Sequence, residues 1–341
     1  RVSTPLLSNA LEDRAPGTTD PPRPVLRVRR QFAPGSVLYV QYSVLGAEKD
    51  EASYLPQVMA GYEIQRADGS VFKRADETII NPTSIGVDAD WWLSASRRAE
   101  EAGFGTTWIW DHFISRGVKT DPLLECWTML AAASAATERI RLGSFVTNVM
   151  NRHPAVLARM VATVADLAPG RVELGIGIGG HPAEHEAYGI DWPAAGERAE
   201  RLEEAIDVLR LLFTGGPVDY EGRHYRLRAA HAFPVPRPAP RIIIGGETPA
   251  GARLAARIAD AWTCFADRFE ALLPVFEEAL AVAGRERADV PVLVGIAVGD
   301  AGRDLDALTA AWRARGATEL IVSQVGPDDL AGLVEAAHLA A

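Results

Sequence analysis

Cysteine is scarce in this chain: Cys126 and Cys264 are the two among 341 residues. Both fall in stretches patterned as helix or strand and read as small core residues, so a disulfide scaffold is not expected and a reducing cytoplasm is. Long apolar runs are missing too, none approaching the ~18 residues that argue a membrane span. Basic charge is in deficit, with 45 Asp and Glu against 35 Lys and Arg and a net charge of −10. Binding to nucleic acid needs a basic surface, so that partner is not expected. No basic-then-apolar segment follows Arg1, so no targeting segment is expected, and the missing initiator Met suggests a processed or truncated chain. What is present is a 48% hydrophobic, 23% charged composition, that of a soluble globular protein. The length suits one (β/α) barrel of roughly 250 residues with an added module.

Residues 1–24 are rich in Pro, Ser, Asp and Arg and bury too little to offset ordering entropy, so they should be extended or disordered. From residue 25 the pattern has period two: Leu38, Val40, Tyr42 and Val44 share one face, and Val58, Ala60, Tyr62 and Ile64 another. Asp68-Gly69 between two such runs is a hairpin signal, so residues 25–82 form a small antiparallel β unit. After Asn81-Pro82 strand and helix alternate. A short first strand at 85–87 and a helix capped by Asp88 or Asp90 lead to a strand at 106–110. Asp121-Pro122 opens a second helix, 139–147 is the next strand, and a helix from Pro154 to Leu167 precedes a strand at 171–178. An amphipathic helix at 195–213 precedes an insertion at 214–240, rich in Gly, Pro and aromatics, of the kind that builds functional loops. Strands at 241–244, 261–265, 291–298 and 319–323 then alternate with helices. About eight βα units result, the number that closes a barrel, with an open doubly wound sheet as the alternative.

The chemistry is expected where the apolar run TTWIWDHF, residues 106–113, stops at Asp111 and His112. In a parallel barrel that is the carboxyl end of a strand, the face on which active sites are built. An imidazole there can exchange a proton near neutrality. Four other patterns compete. Gly175 to Gly180 contains GxGxxG, but its glycines alternate with Ile inside a strand and Pro182 follows, so small residues that make room for a flat ring explain it better than a dinucleotide turn. His181, Glu184, His185 and Glu186 invite a metal, yet no cluster at other strand ends completes a ligand set, and no metal is expected. Gly245 and Gly246 lie between a strand and a helix start, either a plain turn or an anion-binding helix N-terminus. Arg152 and His153 are each either a coenzyme-tail contact or an ordinary loop and cap residue.

Taken in order and spacing, WDHF, LGSFVTNV, RHPAVLARMVATVADLAPGRVELGIGIG, AEHEAYGI, DYEGRHYRL and PRIIIGG resemble the luciferase-like monooxygenase superfamily, and within it the branch that uses the deazaflavin coenzyme F420. The resemblance runs from about residue 85 to the C-terminus. It implies a (β/α)8 TIM barrel and an oxidoreductase that passes hydride between the deazaflavin and a small organic substrate. His112 would be the base or polarising group beside the ring, and Asp111 would fix its tautomer or bond the ring. Ser144 and Phe145 match the place of a bulge with a non-proline cis peptide behind the ring, and Thr147 a neighbouring polar contact. Gly177, Gly179, Gly180, Gly245 and Gly246 would contact the coenzyme. Gly180 stands where some sugar-phosphate dehydrogenases of the family place an acidic proton donor, so their substrate is not carried over. The substrate pocket is expected from residues 113–120, 181–194 and 214–240, and dimers are common among such relatives. An FMN-dependent monooxygenase using dioxygen is the alternative on the same fold, and a non-catalytic or truncated barrel is the alternative outside enzymes. Residues 25–80 weakly resemble the β-rich tail of von Willebrand A-like bacterial proteins.

Overall fold

The computed structural model describes residues 6–8, 39–41, 59–65, 71–79, 88–115, 122–298, 304–323 and 325–340. The chain divides into two units, Arg1–Thr83 and Ser84–Ala341. In the first, β1 (Leu6–Ser8) pairs antiparallel with β2 (Tyr39–Gln41), and β3 (Met59–Gln65) antiparallel with β4 (Val71–Ile79). The Asp68-Gly69 turn and the first strand expected at 85–87 both lie outside the described residues.

The second unit alternates strand and helix. Helix α1 (Ala89–Glu101) starts on Asp88, whose Oδ1 accepts from the Trp91 amide at 2.7 Å, and stops at Gly103 with φ +87°. That backbone is left-handed, which glycine adopts without a Cβ penalty. There follow β5 (Thr106–Ile109), α2 (Cys126–Ala136), β6 (Arg141–Ser144), β7 (Thr147–Asn148), α3 (Pro154–Leu167) and β8 (Val172–Gly177). Next come α4 (Pro182–Tyr188), α5 (Ala195–Leu212), the hairpin β9 (Val218–Glu221) and β10 (Arg226–Ala230), β11 (Arg241–Gly245), α6 (Pro249–Ile258) and β12 (Ala261–Phe265). The last elements are α7 (Ala266–Val282), β13 (Val292–Ala297), α8 (Leu305–Ala314), β14 (Glu319–Ser323) and α9 (Pro327–Ala340). Helix α2 begins four residues later than the Asp-Pro signal suggests. Glu125 caps it instead, taking the amides of Trp127 and Thr128 and the Thr128 hydroxyl.

The strands pair in parallel in the order β14-β13-β12-β11-β8-β6-β5, with the short β7 also on β8. The sheet is curled, because side chains from strands far apart in that order meet inside it. Arg241 binds Glu173 through two nitrogens, at 2.9 and 3.1 Å, and Glu319 at 2.9 Å. Arg141 reaches the same two carboxylates, Glu173 at 3.1 Å and Glu319 at 3.5 Å. This four-charge floor joins β6, β8, β11 and β14. Above it Ile243, Ala261, Leu293 and Ile321 form an interior apolar layer with Trp108 and Phe145 against them. Outside, α1 packs on α9, so the first and last described helices of the unit are neighbours. Outward strand residues such as Leu142, Leu174, Ile242, Ile244 and Trp262 are buried in the main apolar core shared with the helices. No helix among the described residues is long and apolar enough to cross a membrane.

The floor generates a test. Glu173 is 5% exposed and depends on Arg241 for its bidentate partner. Arg241→Met should therefore destabilise the chain by about 3 kcal/mol, the scale for removing one member of a buried ion pair, read as a lowered urea midpoint with little change in slope.

Candidate active site

The end of β5 sends three consecutive side chains to different work. Parallel strands alternate faces, and from Trp108 onward the even positions continue toward the inside of the curled sheet. Trp110 and His112 line a cavity of about 1280 Å³ at the carboxyl end of the sheet, as does part of Asp111. Phe145, Val146, Asn148, Gly177, Gly179, Gly180, Gly245 and Gly246 line it too, together with the first turns of α5 and α6.

Asp111 does not orient His112. It is 2% exposed and grips Arg152 through both oxygens, at 2.7 and 2.8 Å. It also accepts from the Asn148 amide at 2.8 Å and the Asn151 side chain at 3.2 Å. Arg152 in turn contacts Glu125 at 3.1 Å, so this network ties the loop after β7 to the ends of β5 and α2. Charge-assisted, bidentate pairing of this kind fixes geometry. Arg152 is thereby committed to the scaffold, and His153 is the cap of α3, its Nδ1 accepting from the Ala155 amide at 3.1 Å.

The residue that does orient His112 is Glu184, on α4. Its Oε2 lies 2.9 Å from His112 Nδ1, and its Oε1 accepts from the backbone amides of Phe113 and, at 2.9 Å, Ile114. Glu184 has no exposed surface. Burial pushes its carboxyl up, but the His112 hydrogen bond and the two amides outweigh that and hold it below the ordinary value. An ionised carboxylate only accepts, so His112 must donate from Nδ1–H, which leaves Nε2 as the nitrogen available for chemistry. The sequence pattern had grouped Glu184 with His181, His185 and Glu186. In the structure they separate: His185 faces Asn148, its Nε2 2.7 Å from the amide nitrogen, and Glu186 is exposed. Among the described residues no three His, Cys, Asp or Glu side chains form a group that could hold a metal ion.

Ser144 and Thr147 do not face the cavity. Ser144 shares the helix-facing side of β6 with Leu142, and its hydroxyl donates to the Gly175 carbonyl at 2.8 Å. Thr147 accepts from the Trp127 indole at 3.1 Å. The non-proline cis peptide is present, between Phe145 and Val146. The glycines of β8 and β11 make room first for this bulge. A Cβ on Gly175 would stand 2.0 Å from the Ser144 carbonyl oxygen, and Cβ atoms on Gly177 and Gly245 would stand 3.1 and 3.0 Å from a Val146 methyl. Gly179, at φ +77°, lies against the Asn148 side chain, 2.6 Å from where its own Cβ would be. At the start of α6, Gly246 and Gly251 approach so closely that neither tolerates a Cβ, and Thr248 caps the helix by accepting from the Gly251 amide at 3.1 Å. Glu247 is held by the Phe265 amide at 3.0 Å, and burial pushes its carboxyl up. None of residues 214–240 lines the cavity. Their hairpin is fastened to α5, where Glu204 accepts from the amides of Arg223, His224 and Tyr225.

The depressed Glu184 carboxyl has a consequence for stability. A carboxylate with a lowered folded value adds stability above its ordinary value of 4.5 and loses it as pH falls through the folded one. Glu184→Gln should therefore be less stable than the parent near neutrality by about 1–3 kcal/mol. The gap, measured by urea unfolding at a series of pH values, should close only below the ordinary carboxylate range.

Comparison with known proteins agrees with this architecture. The chain is 36% identical over 206 residues to an F420-dependent glucose-6-phosphate dehydrogenase of Microbacterium testaceum, covering 59% of this chain and 61% of that one. It is 33% identical over 240 residues to the protein of the same name from Beutenbergia cavernae, covering 68% and 70%. The chain thus spans about six-tenths of the length of the first of these relatives. The coenzyme F420-dependent tetrahydromethanopterin reductase of Methanopyrus kandleri superposes with a TM-score of 0.61 at 20% identity, covering 74% of this chain and 94% of that one. These matches lend no support to the von Willebrand A-like resemblance of residues 25–80, which lie ahead of the family match. The luciferase-like monooxygenase model matches residues 84–331, and the chain belongs to that family.

Proposed function

We propose that this protein is a coenzyme F420-dependent oxidoreductase that passes hydride between the deazaflavin and a small organic substrate. The observation that carries the reading is the carboxylate-held imidazole of His112 on the wall of the cavity. The named activity of the relatives, dehydrogenation with F420, supports it. We take residues 84–341 to be the catalytic unit, a (β/α)8 barrel.

The lining suits a planar, largely apolar ring system. Phe145 and Val146 rise from the bulge between β6 and β7, and Ile178, Gly177 and Gly245 keep side-chain bulk low beside them. Bound here, the deazaflavin would supply the two-electron redox chemistry, leaving orientation and proton handling to the protein. The bulge, Gly177, Gly179 and Gly180 would hold the ring region. Gly245, Gly246 and the start of α6 would receive the anionic tail, where backbone amides and the helix dipole favour negative charge. His112, with Nδ1 committed to Glu184, would accept a proton at Nε2 from a substrate hydroxyl or return it to a carbonyl oxygen. Trp110, edge-on to His112 at 6.2 Å, would exclude water on one side.

Fluorescence quenching with purified protein separates the readings. Binding of F420 in preference to FMN is the expected result. Preference for FMN would mean an oxygenase, and binding of neither would mean a non-catalytic barrel. His112→Ala should fold normally, bind coenzyme and lose turnover by about 10²–10⁴-fold. Retained turnover would remove His112 from its assigned role.

A further inference from the structure

The residue after Glu184 makes a second connection from α4 to the cavity. Neither Glu184 nor His185 has exposed surface, and while Glu184 takes His112, His185 places Nε2 2.7 Å from the side-chain nitrogen of Asn148. Asn148 stands on the cavity lining and is 5% exposed. Its backbone amide donates to Asp111 at 2.8 Å, and its Oδ1 accepts from the Met150 amide at 3.0 Å.

Which end of an amide is oxygen, and which imidazole nitrogen carries the hydrogen, follow from the partners they meet. The Met150 N–H requires the oxygen on its side, so the nitrogen faces His185 and donates to Nε2. A ring nitrogen that accepts is bare, so His185 is neutral with its hydrogen on Nδ1, beside the Asp191 backbone. Burial, which pushes this imidazole down, agrees. Trp192 packs on the His185 ring with centroids 4.3 Å apart, and the Arg198 guanidinium lies 3.8 Å from the Trp192 ring, so the imidazole is held in place. An amide nitrogen has two hydrogens, and one remains. Among the described residues Asn148 Nδ2 makes no other hydrogen bond. Gly179 keeps it uncovered, because a Cβ there would stand 2.8 Å from Nδ2 and 2.6 Å from Oδ1.

We propose that Asn148 contacts the coenzyme, its remaining N–H donating to an acceptor on the polar edge of the flat ring, and that His185 is the positioning residue that aims it. The inference rests on the oxidoreductase reading, in which the ring lies against the bulge, Gly177 and Gly179. A deazaflavin ring is apolar along one side and carries carbonyl oxygens and a ring nitrogen acceptor along the other. Apolar lining such as Phe145, Val146 and Ile178 admits that ring in more than one in-plane rotation. One fixed donor favours the rotation that brings an acceptor to it, and a donor already held by the protein loses little freedom on binding. An amide does not ionise, so Asn148 binds and orients while proton handling stays with His112. His185 touches neither coenzyme nor substrate and acts through Asn148.

The test is fluorescence-quenching titration of the full chain with F420 and with deazariboflavin, which has the ring and no phosphate tail. Asn148→Ala and the nearly isosteric Asn148→Asp, which keeps an oxygen for the Met150 amide, should each bind both ligands about tenfold more weakly. His185→Leu should show the same loss. His185→Gln should bind as the parent does, since its amide oxygen can replace Nε2 as acceptor. Asn148→Ala combined with His185→Leu should lose no more than either alone. Near-UV circular dichroism checks the fold of each variant. Before any coenzyme is added, 15N NMR of the parent should find His185 neutral with its hydrogen on Nδ1. Parent affinity in both Asn148 variants overturns the proposal, as does a loss confined to F420, which would put the contact on the tail. Equal losses in His185→Leu and His185→Gln overturn the positioning role. A hydrogen on His185 Nε2 overturns the proposal whether or not coenzyme binds. A parent chain that binds neither ligand overturns the oxidoreductase reading and the proposal with it, an outcome distinct from parent-level binding in the variants.

Discussion

A single buried carboxylate governs the geometry of the cavity wall that carries His112. Glu184 has four roles to fill with two oxygens: it takes the amides of Phe113 and Ile114, fixes His112 through Nδ1 and lies within reach of His181. Because the group is buried and ionised, each of those donors is worth more than it would be in water, and losing any one leaves an uncompensated charge or dipole. The same bonds that hold the chain leaving β5 against α4 also hold the imidazole. Scaffold and site are therefore not separable at this point.

A second constraint acts on the other wall. The chain between β6 and β7 bulges inward at Phe145 and Val146, and its neighbours on β8 and β11 must yield space. Gly175, Gly177 and Gly245 do so, each with a Val146 methyl or the Ser144 carbonyl where a Cβ would be. Close packing in an interior leaves no other way to accommodate an added side chain. The glycine-rich stretch of β8 is thus explained by a protein contact, and the low bulk it leaves beside the cavity is the feature that suits a flat coenzyme.

Much of this was legible in the residues. The alternation of strand and helix placed β12, β14 and α3 at their observed boundaries, because period, caps and Gly or Pro punctuation are local signals. His112 was legible as a strand-end imidazole. What the residues did not show is where a side chain chose a partner distant in sequence. Asp111 went to Arg152, 41 residues on, and Glu184 came to His112 from 72 residues away. Ser144 and Thr147 turned to the helix side. Period two from Trp108 would have separated His112 from Asp111, since adjacent strand residues face opposite ways. The 214–240 insertion, expected at the pocket, instead packs its hairpin on α5, a choice made by the carboxylate of Glu204 accepting three amides that the hairpin turn exposes.

The amino-acid order by itself determined the βα rhythm, the apolar strand faces and the placement of an acid and an imidazole at one strand end, since these follow from spacing within a few residues. Only the tertiary structure decided which carboxylate holds the imidazole, which glycines face a bulge, and that four charges from β6, β8, β11 and β14 meet beneath the apolar layer. The physical reason is that burial makes an unpaired charge costly, so each buried ionic group settles on whichever partner the curled sheet brings within reach, and that distance is a property of the fold and not of the spacing along the chain.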